Sequence, residues 1–291
     1  MPALESTSVR DGWRRFSRNR AALFGLLVIV VTVVVALGAD VLAPYDYQEQ
    51  HFEGLTLEGA PLPPGVPFLI GTDTLGRDLL SRMMHGARTS LIIGVVANGI
   101  AVLLGALLGT LAGYVRGWLG TVIMRFTDLM MAFPVLILAI ALAAIIGPSL
   151  WIVALVIAAV NWVQVARVVY TETTSLSERE FIEATRNLGA SNARILFAHI
   201  IPHLIPTILV WATLGIATTV LLEATLSFLG IGVQPPMPSW GNIIQESVSY
   251  FTTAPWLVFI PGAAILLLAL SFNLVGDALR DVLDPTQRGR T

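Results

Sequence analysis

Cysteine and lysine are both absent from this sequence of 291 residues. Without cysteine, the chain cannot form disulfides, bind a metal through thiolates or use a thiolate as a nucleophile. Without lysine, it cannot contain the glycine-rich phosphate-binding loop whose lysine contacts the terminal phosphates of a nucleotide. If ATP drives this protein, a different chain must therefore hydrolyse the nucleotide.

Charged residues are also scarce, at 12% of the chain, whereas about 25% is usual for a soluble domain. Hydrophobic residues make up 55%, and the mean hydropathy is +0.78. This composition predicts an integral membrane protein that is surrounded by the lipid bilayer and has no nucleic-acid partner.

Apolar runs long enough to cross about 30 Å of hydrocarbon, which takes about 20 helical residues, occur six times. One uncharged run, 129–166, is about twice the length of a single crossing, and Gly147-Pro148 divides it into a hairpin. In the second span, glycines recur at spacings of four to six residues and predict close helix packing. The sequence therefore predicts an all-α fold with six transmembrane helices, at 21–39, within 89–115, on either side of Gly147-Pro148, from about 206 to 229 and within 255–276.

Fourteen of the 17 arginines fall in segments that six spans would place on one side of the membrane. Because basic residues in short flanking loops are retained in the cytoplasm, both termini and the loop 171–205 are predicted to be cytoplasmic. The predicted order is an interfacial segment 1–20, a first transmembrane helix 21–43, an extracytoplasmic loop with an amphipathic helix 44–88, a core of five transmembrane helices 89–285 and a cytoplasmic tail 286–291.

A polar segment, residues 177–206, interrupts this apolar chain. Ser177 and Glu180 have the spacing of a capping box, which predicts a helix that starts here, and Gly189 is placed to end it in the left-handed conformation. Ser191 predicts the cap of a second helix that the following prolines disturb. A helix, a sharp turn and a second helix of this kind would suit a groove on a soluble partner.

This segment reads Glu183-Ala184-Thr185, then Gly189, then Ile201-Pro202, and so resembles the permease subunits of binding-protein-dependent ABC importers. Thr185 and Ile201 depart mildly from the small residue and the leucine that are usual there. Four further segments resemble the C-type permease subunit of the oligopeptide and dipeptide importers, namely 71–91, 128–134, 227–241 and 273–285.

The resemblance implies a type I ABC importer permease fold in a multi-pass protein of the bacterial cytoplasmic (inner) membrane. It implies a transport subunit without catalytic residues or cofactors of its own, since ATP and Mg would be bound by two partner ATPase subunits. A second, homologous permease and an extracytoplasmic peptide-binding protein would complete the complex. The cargo would be oligopeptides or dipeptides, although nickel and glutathione importers share the subfamily and remain alternatives.

The resemblance also assigns the coupling to the ATPase to the helix at 178–189 within the loop 171–205. Its expected coupling residues are Glu180, Phe181, Glu183, Ala184, Thr185, Leu188 and Gly189.

Polar residues inside the spans have two possible uses. They could line a polar route, or they could form hydrogen bonds between helices. Glu223 could also pair with Arg77, Arg82 or Arg88. His199 and His203 are four residues apart on a helix, but two ligands do not predict a metal site, and none is assigned. The candidates for the route or for helix contacts are Asn98, Asn161, Gln164 and Glu223.

The outer segment 73–88 places leucines and methionines on one helical stripe opposite charged residues. This pattern predicts a surface helix that lies on the membrane, and it could also dock the binding protein together with the second outer loop. The candidate docking residues are Arg77, Asp78, Arg82, Gln234, Pro235, Pro236 and Trp240.

Two other classes of membrane protein fit the sequence less well. A secondary transporter would keep charges or broken helices at the membrane midplane, and the deep spans contain few. An intramembrane enzyme would need a nucleophile, a base or a metal constellation, and no such pattern is present.

Overall fold

A computed structural model describes residues 9–115, 117–147 and 149–283. The predicted tail 286–291, Arg116 and Pro148 of the predicted hairpin lie outside these ranges. Within them, the regular structure is helical, and β-pairing is limited to two isolated bridges in the segment before the second long helix. The prediction of an all-α membrane protein is confirmed.

The described residues form twelve α-helices. Short 3₁₀ turns at Phe52–Gly54 and Val248–Tyr250 and a π-helical turn at Leu196–Ile200 accompany them. The helices are α1 Val9–Phe16, α2 Arg20–Leu37, α3 Ala39–Leu42, α4 Leu79–Val115, α5 Gly117–Met131, α6 Val135–Ile146, α7 Leu150–Ser177, α8 Glu180–Asn187, α9 Asn192–Ile195, α10 Ile201–Phe228, α11 Trp240–Ser247 and α12 Trp256–Leu283.

Five helices are long and apolar enough to cross a bilayer, namely α2, α4, α7, the continuous helix Asn192–Phe228 and α12. A sixth crossing requires α5 and α6 to act as one broken span, because they meet at a bend of 92°. Helix α6 alone has 12 residues and a length of about 18 Å, which is too short to cross. The predicted third span is therefore wrong in its bounds: the chain breaks at 132–134, where Pro134 disfavours helical geometry in the residue before it.

Two helices begin earlier than the sequence predicts. Helix α4 starts at Leu79 rather than near residue 89, so that residues 79–88 of the predicted surface helix belong to the same helix as the second span. The second helix of the polar segment continues into the fifth span, since one helix runs from Asn192 to Phe228, and the disturbance predicted near the prolines takes the form of a π-helical turn. The wider π-helical turn at Leu196–Ile200 lies directly before the first proline and accommodates its ring and its missing N–H.

Helices α4 and α7 pack along most of their length. A Cβ at Gly105 would lie 2.6 Å from the Trp162 carbonyl oxygen, and a Cβ at Gly109 would lie 2.5 Å from the Ala166 carbonyl oxygen. The predicted close approach along these glycines is confirmed. Helix α10 packs against α4 and α12, and α12 packs against α2, so that α4 and α10 form the centre of the bundle.

Candidate functional site

The polar segment forms a helical hairpin, residues 180–195, that consists of α8, a turn and α9. The predicted capping box is wrong. Ser177 is the last residue of α7, and its hydroxyl donates a 2.7 Å hydrogen bond to the Thr173 carbonyl. Helix α8 starts after Arg179, which supplies no side-chain cap. The cap of the second helix is confirmed, since Ser191 Oγ accepts the Arg194 backbone N–H at 3.3 Å.

Gly189 ends α8 as predicted, with a φ of +84°. The N–H of Gly189 donates to the Arg186 carbonyl at 3.0 Å, and the N–H of Ala190 donates to the Thr185 carbonyl at 3.3 Å. This pair of bonds is the Schellman arrangement, which requires a left-handed residue at the turn. A Cβ at position 189 would meet no atom within 4 Å, so the backbone conformation alone requires glycine here.

Most of the hairpin surface is exposed. Of the expected coupling residues, Glu180, Phe181, Glu183, Ala184, Leu188 and Gly189 are exposed, and Thr185 is half-buried. Leu188 has 89% of its surface exposed, although leucine is among the residues most often buried. Within the described residues, most of these side chains are therefore accessible to a partner.

Two isoleucines attach this hairpin to the membrane helices. Ile182 of α8 and Ile195 of α9 are fully buried. They belong to a cluster with Leu176 at the end of α7 and Leu204 in α10, and with residues of α4. Tyr114 at the end of α4 adds a hydrogen bond of 2.8 Å from its hydroxyl to the Asn192 Oδ1. The hairpin is thereby joined to three long helices.

Three of the four predicted polar span residues meet at one pocket. Asn98 of α4 and Asn161 and Gln164 of α7 line an open pocket of about 380 Å³, together with residues of α6 and α10. Asn98 Nδ2 donates to the Ala212 carbonyl at 2.7 Å. Asn161 Nδ2 donates to Thr219 Oγ1 at 3.3 Å. Asn98 and Asn161 therefore form the predicted hydrogen bonds between helices, while Gln164 is exposed to the pocket.

Glu223 lies apart from this pocket and is fully buried. Its carboxylate accepts hydrogen bonds from Ser90 Oγ at 2.9 Å and from Ser227 Oγ at 2.7 Å. The predicted alternative of pairing with an arginine is wrong, because the three arginines of the outer segment have other carboxylate partners. The sequence contained a usable signal: Ser227 is four residues from Glu223 and faces it on the same helix.

Arg77 and Arg82 belong to an ion cluster that also contains Asp73 and Glu246. Arg77 Nε lies 2.6 Å from Asp73 Oδ2, and its Nη2 lies 2.9 Å from Glu246 Oε2. Arg82 Nη1 lies 2.8 Å from Glu246 Oε2 and also contacts Asp73. The cluster fastens the start of α4 to α11. The arginine side chains are 8% and 2% exposed, so the prediction that they dock a partner is wrong.

The remaining docking candidates divide into buried and exposed residues. Asp78 is buried and caps α4, since its carboxylate accepts the N–H and the hydroxyl of Ser81, each at 2.7 Å. Trp240 is also buried, and its indole N–H donates to the Met83 carbonyl at 3.1 Å. Both side chains are therefore buried, and their hydrogen bonds stabilise the start of α4 and its contact with α11. Only part of the predicted surface is accessible: Pro235 and Pro236 are exposed and Gln234 is half-buried.

A further ion pair ties α3 to α4. Arg88 Nη2 donates to Asp40 Oδ2 at 2.9 Å, and this hydrogen bond holds the pKa of the Asp40 carboxyl below its ordinary value. His199 and His203, in contrast, pack around the ring of Phe181, at centroid distances of 6.4 and 6.0 Å. Within the described ranges, no three histidines or carboxylates gather as metal ligands would.

Comparison with known proteins gives consistent results. The family described as "Binding-protein-dependent transport system inner membrane component" matches residues 105–289, and the "N-terminal TM domain of oligopeptide transport permease C" matches residues 7–64. The dipeptide transport system permease protein DppC of Alkalihalophilus pseudofirmus is 41% identical over 96% of this chain and 90% of its own length. The glutathione transport system permease protein GsiD of Pectobacterium atrosepticum is 39% identical over 98% of this chain and 95% of its own length.

Among solved structures, an inward-facing methionine ABC transporter, MetNI, contains a chain of similar fold. The TM-score is 0.55 and the identity is 19%, and the match covers 69% of this chain and 96% of the other. At this identity the likeness concerns the fold alone. It supports the predicted type I permease fold.

Proposed function

The chain belongs to the family of inner membrane components of binding-protein-dependent transport systems, and from this premise we propose that it forms half of the pathway of an ATP-driven peptide importer. As a member of that family, it is a multi-pass permease subunit of the bacterial inner membrane. Its proposed partners are a second, homologous permease, two ABC ATPase subunits and an extracytoplasmic binding protein.

The exposed hairpin 180–195 carries this proposal. A soluble partner can reach its surface, while Ile182 and Ile195 fix it to the ends of α4, α7 and α10. A partner that binds ATP and changes shape would therefore move the membrane helices through the hairpin. A nucleotide can shift this equilibrium only if it binds one conformation of the complex more tightly than the other. Since the chain has no lysine for a phosphate-binding loop, we assign ATP and Mg to the ATPase subunits.

The proposed orientation places the hairpin and both termini in the cytoplasm, as the arginine distribution predicts. The segments 43–78 and 229–255 then face outward. Within them, Pro235 and Pro236 are exposed and remain candidate contacts for the binding protein, with Gln234 beside them.

Peptides are the cargo that the relatives favour. Two relatives more than 40% identical to this chain are named as dipeptide or di/tripeptide permeases. The glutathione permeases, at 39% and 41% identity, favour glutathione as the second candidate. Asn98, Asn161 and Gln164 would line this chain's half of the route.

Reconstitution tests the proposal. We expect no uptake into proteoliposomes by the chain alone and ATP-dependent dipeptide uptake by the complete complex. Glu183→Arg on the hairpin should lower ATPase association or uncouple hydrolysis from uptake, whereas Glu58→Arg on an exposed outer loop should do neither. Autonomous uptake by the chain, or full coupling in the Glu183→Arg complex, would overturn the proposal.

A further inference from the structure

The pocket between α4, α6, α7 and α10 has a mostly apolar lining that includes several polar side chains, and these are uncharged. Twelve described residues line it, and none of them is an acid, an arginine or a histidine. Its polar groups are the carboxamides of Asn98, Asn161 and Gln164, the hydroxyls of Thr218 and Thr225 and the indole N–H of Trp211. We propose that this pocket binds the main chain of a passing peptide and admits acidic, basic and neutral side chains alike. The proposal rests on the function proposed above and specifies how the route recognises its cargo.

Carboxamides match the chemistry that all peptides share. Each non-proline residue of a peptide offers one N–H donor and one C=O acceptor, and a carboxamide supplies both a carbonyl acceptor and an NH₂ donor. Asn161 already donates to Thr219, which fixes its orientation and leaves its carbonyl oxygen as an acceptor. Gln164 is exposed to the pocket and makes no hydrogen bond to another described residue, so both ends of its carboxamide are available.

The arginine nearest to Gln164 along α7 has a compensated charge. Arg167 follows Gln164 by three residues, a spacing that places two side chains on neighbouring parts of one helix face. Its guanidinium contacts the carboxylate of Asp128 on α5. The face of α7 that contains Asn161 and Gln164 therefore presents neutral hydrogen-bonding groups without an uncompensated charge beside them.

The absence of a charge in the lining has a consequence for selectivity. A fixed charge about 4 Å from a charged side chain of the cargo would favour one sign over the other by tenfold or more at the polarity of a protein surface. Such a site would retain peptides of one charge and repel those of the other. A neutral lining avoids this and leaves selection to the binding protein.

Introducing a charge at Gln164 tests the inference. Complexes that contain the Gln164→Glu or the Gln164→Arg variant would be reconstituted with the same binding protein, and uptake of Lys-Ala and Glu-Ala would be measured. Relative to the unmodified complex, we expect the Lys-Ala to Glu-Ala uptake ratio to rise about tenfold for the acidic variant and to fall about tenfold for the basic one. Gln50→Glu adds the same charge to an exposed outer loop and should leave the ratio unchanged.

Using an acidic and a basic variant distinguishes an electrostatic effect from damage to the fold. A misfolded subunit lowers uptake of both peptides, so it cannot shift the Lys-Ala to Glu-Ala uptake ratio in opposite directions. If the unmodified complex transports both peptides and both Gln164 variants keep its ratio within twofold, the inference is wrong while the proposed function stands. If the unmodified complex transports neither peptide, it is the proposed function that fails.

Discussion

Glu223 of α10 accepts a 2.9 Å hydrogen bond from Ser90 of α4, and neither side chain is accessible to solvent. Ser227 donates a second hydrogen bond of 2.7 Å to the same carboxylate. A buried carboxyl group is costly unless it is hydrogen-bonded, and these two hydroxyls, together with that of Ser239, supply the partners that it needs. The contact joins the two central helices of the bundle through polar atoms rather than through apolar packing.

We expect Glu223→Ala to lower the thermal stability of the purified protein. The substitution leaves the hydroxyls of Ser90 and Ser227 without their acceptor, at a cost of about 1–3 kcal/mol for each buried group that stays unpaired. Glu223→Gln keeps one acceptor oxygen and should have an intermediate effect. Thermal unfolding in detergent would measure the series, with Glu58→Ala in an exposed loop as the control. Equal midpoints for the Ala variant and the unmodified chain would contradict the structural role.

Alanine substitutions at Ile182 and at Leu188 should differ in their effect on the stability of the hairpin. Ile182 is fully buried and attaches α8 to the membrane helices, so Ile182→Ala should loosen the hairpin by about 2–5 kcal/mol. Leu188 is 89% exposed, and Leu188→Ala should leave the hairpin intact. Hydrogen exchange over residues 180–195 would show faster exchange for the first variant only.

The same two variants distinguish the attachment of the hairpin to the membrane helices from its contact with the ATPase. If Leu188 contacts the ATPase, Leu188→Ala weakens co-purification of that subunit without a change in exchange. Unchanged exchange in the Ile182→Ala variant would show that the isoleucine does not hold the hairpin.

Gly189 should tolerate asparagine better than alanine. Its φ of +84° is unfavourable for residues with a Cβ, and no atom lies within 4 Å of where a Cβ would be, so the penalty is purely conformational. Gly189→Ala should destabilise the turn by about 1 kcal/mol, and Gly189→Asn by less, because asparagine adopts this conformation more readily. Coupled ATP hydrolysis and uptake should decline in the same order. Equal activity for all three residues would show that the Schellman turn is dispensable.

The accuracy of the sequence-based predictions varied with the range of the interaction. Gly189 and Ser191 were predicted correctly because a turn and a cap depend on neighbours within a few residues. The capping box at Ser177 was wrong because α7 extends through that residue, and its hydroxyl bonds back to Thr173. Local pattern could not show that the preceding span continues beyond its apolar part.

Longer-range contacts were harder to anticipate. The alternation of charged and apolar residues in 73–88 fits a helix on a membrane surface, but Arg77 and Arg82 contact Glu246 of α11, which is more than 150 residues away in the chain. Only the fold brings Glu246 to Arg77 and Arg82. Conversely, Asn98, Asn161 and Gln164 were recognised as polar residues in apolar helices, although their convergence on one pocket depends on how α4 packs against α7.

The ion cluster at the start of α4 should respond to its net charge rather than to the loss of one contact. Asp73 and Glu246 balance Arg77 and Arg82, so Arg82→Met leaves a negative charge without compensation in a largely buried site. Breaking such a pair costs about 3–5 kcal/mol, and we expect a lower unfolding midpoint and faster proteolysis of the segment 43–78.

Restoring neutrality provides the decisive comparison for this cluster. The double variant Arg82→Met with Glu246→Gln removes one charge of each sign, so it should recover part of the stability that Arg82→Met loses. Arg88→Met serves as the matched control, because it removes an arginine whose partner Asp40 is largely exposed and should therefore destabilise far less. If the double variant is less stable than Arg82→Met alone, the geometry of the individual hydrogen bonds outweighs charge balance in holding α4 to α11.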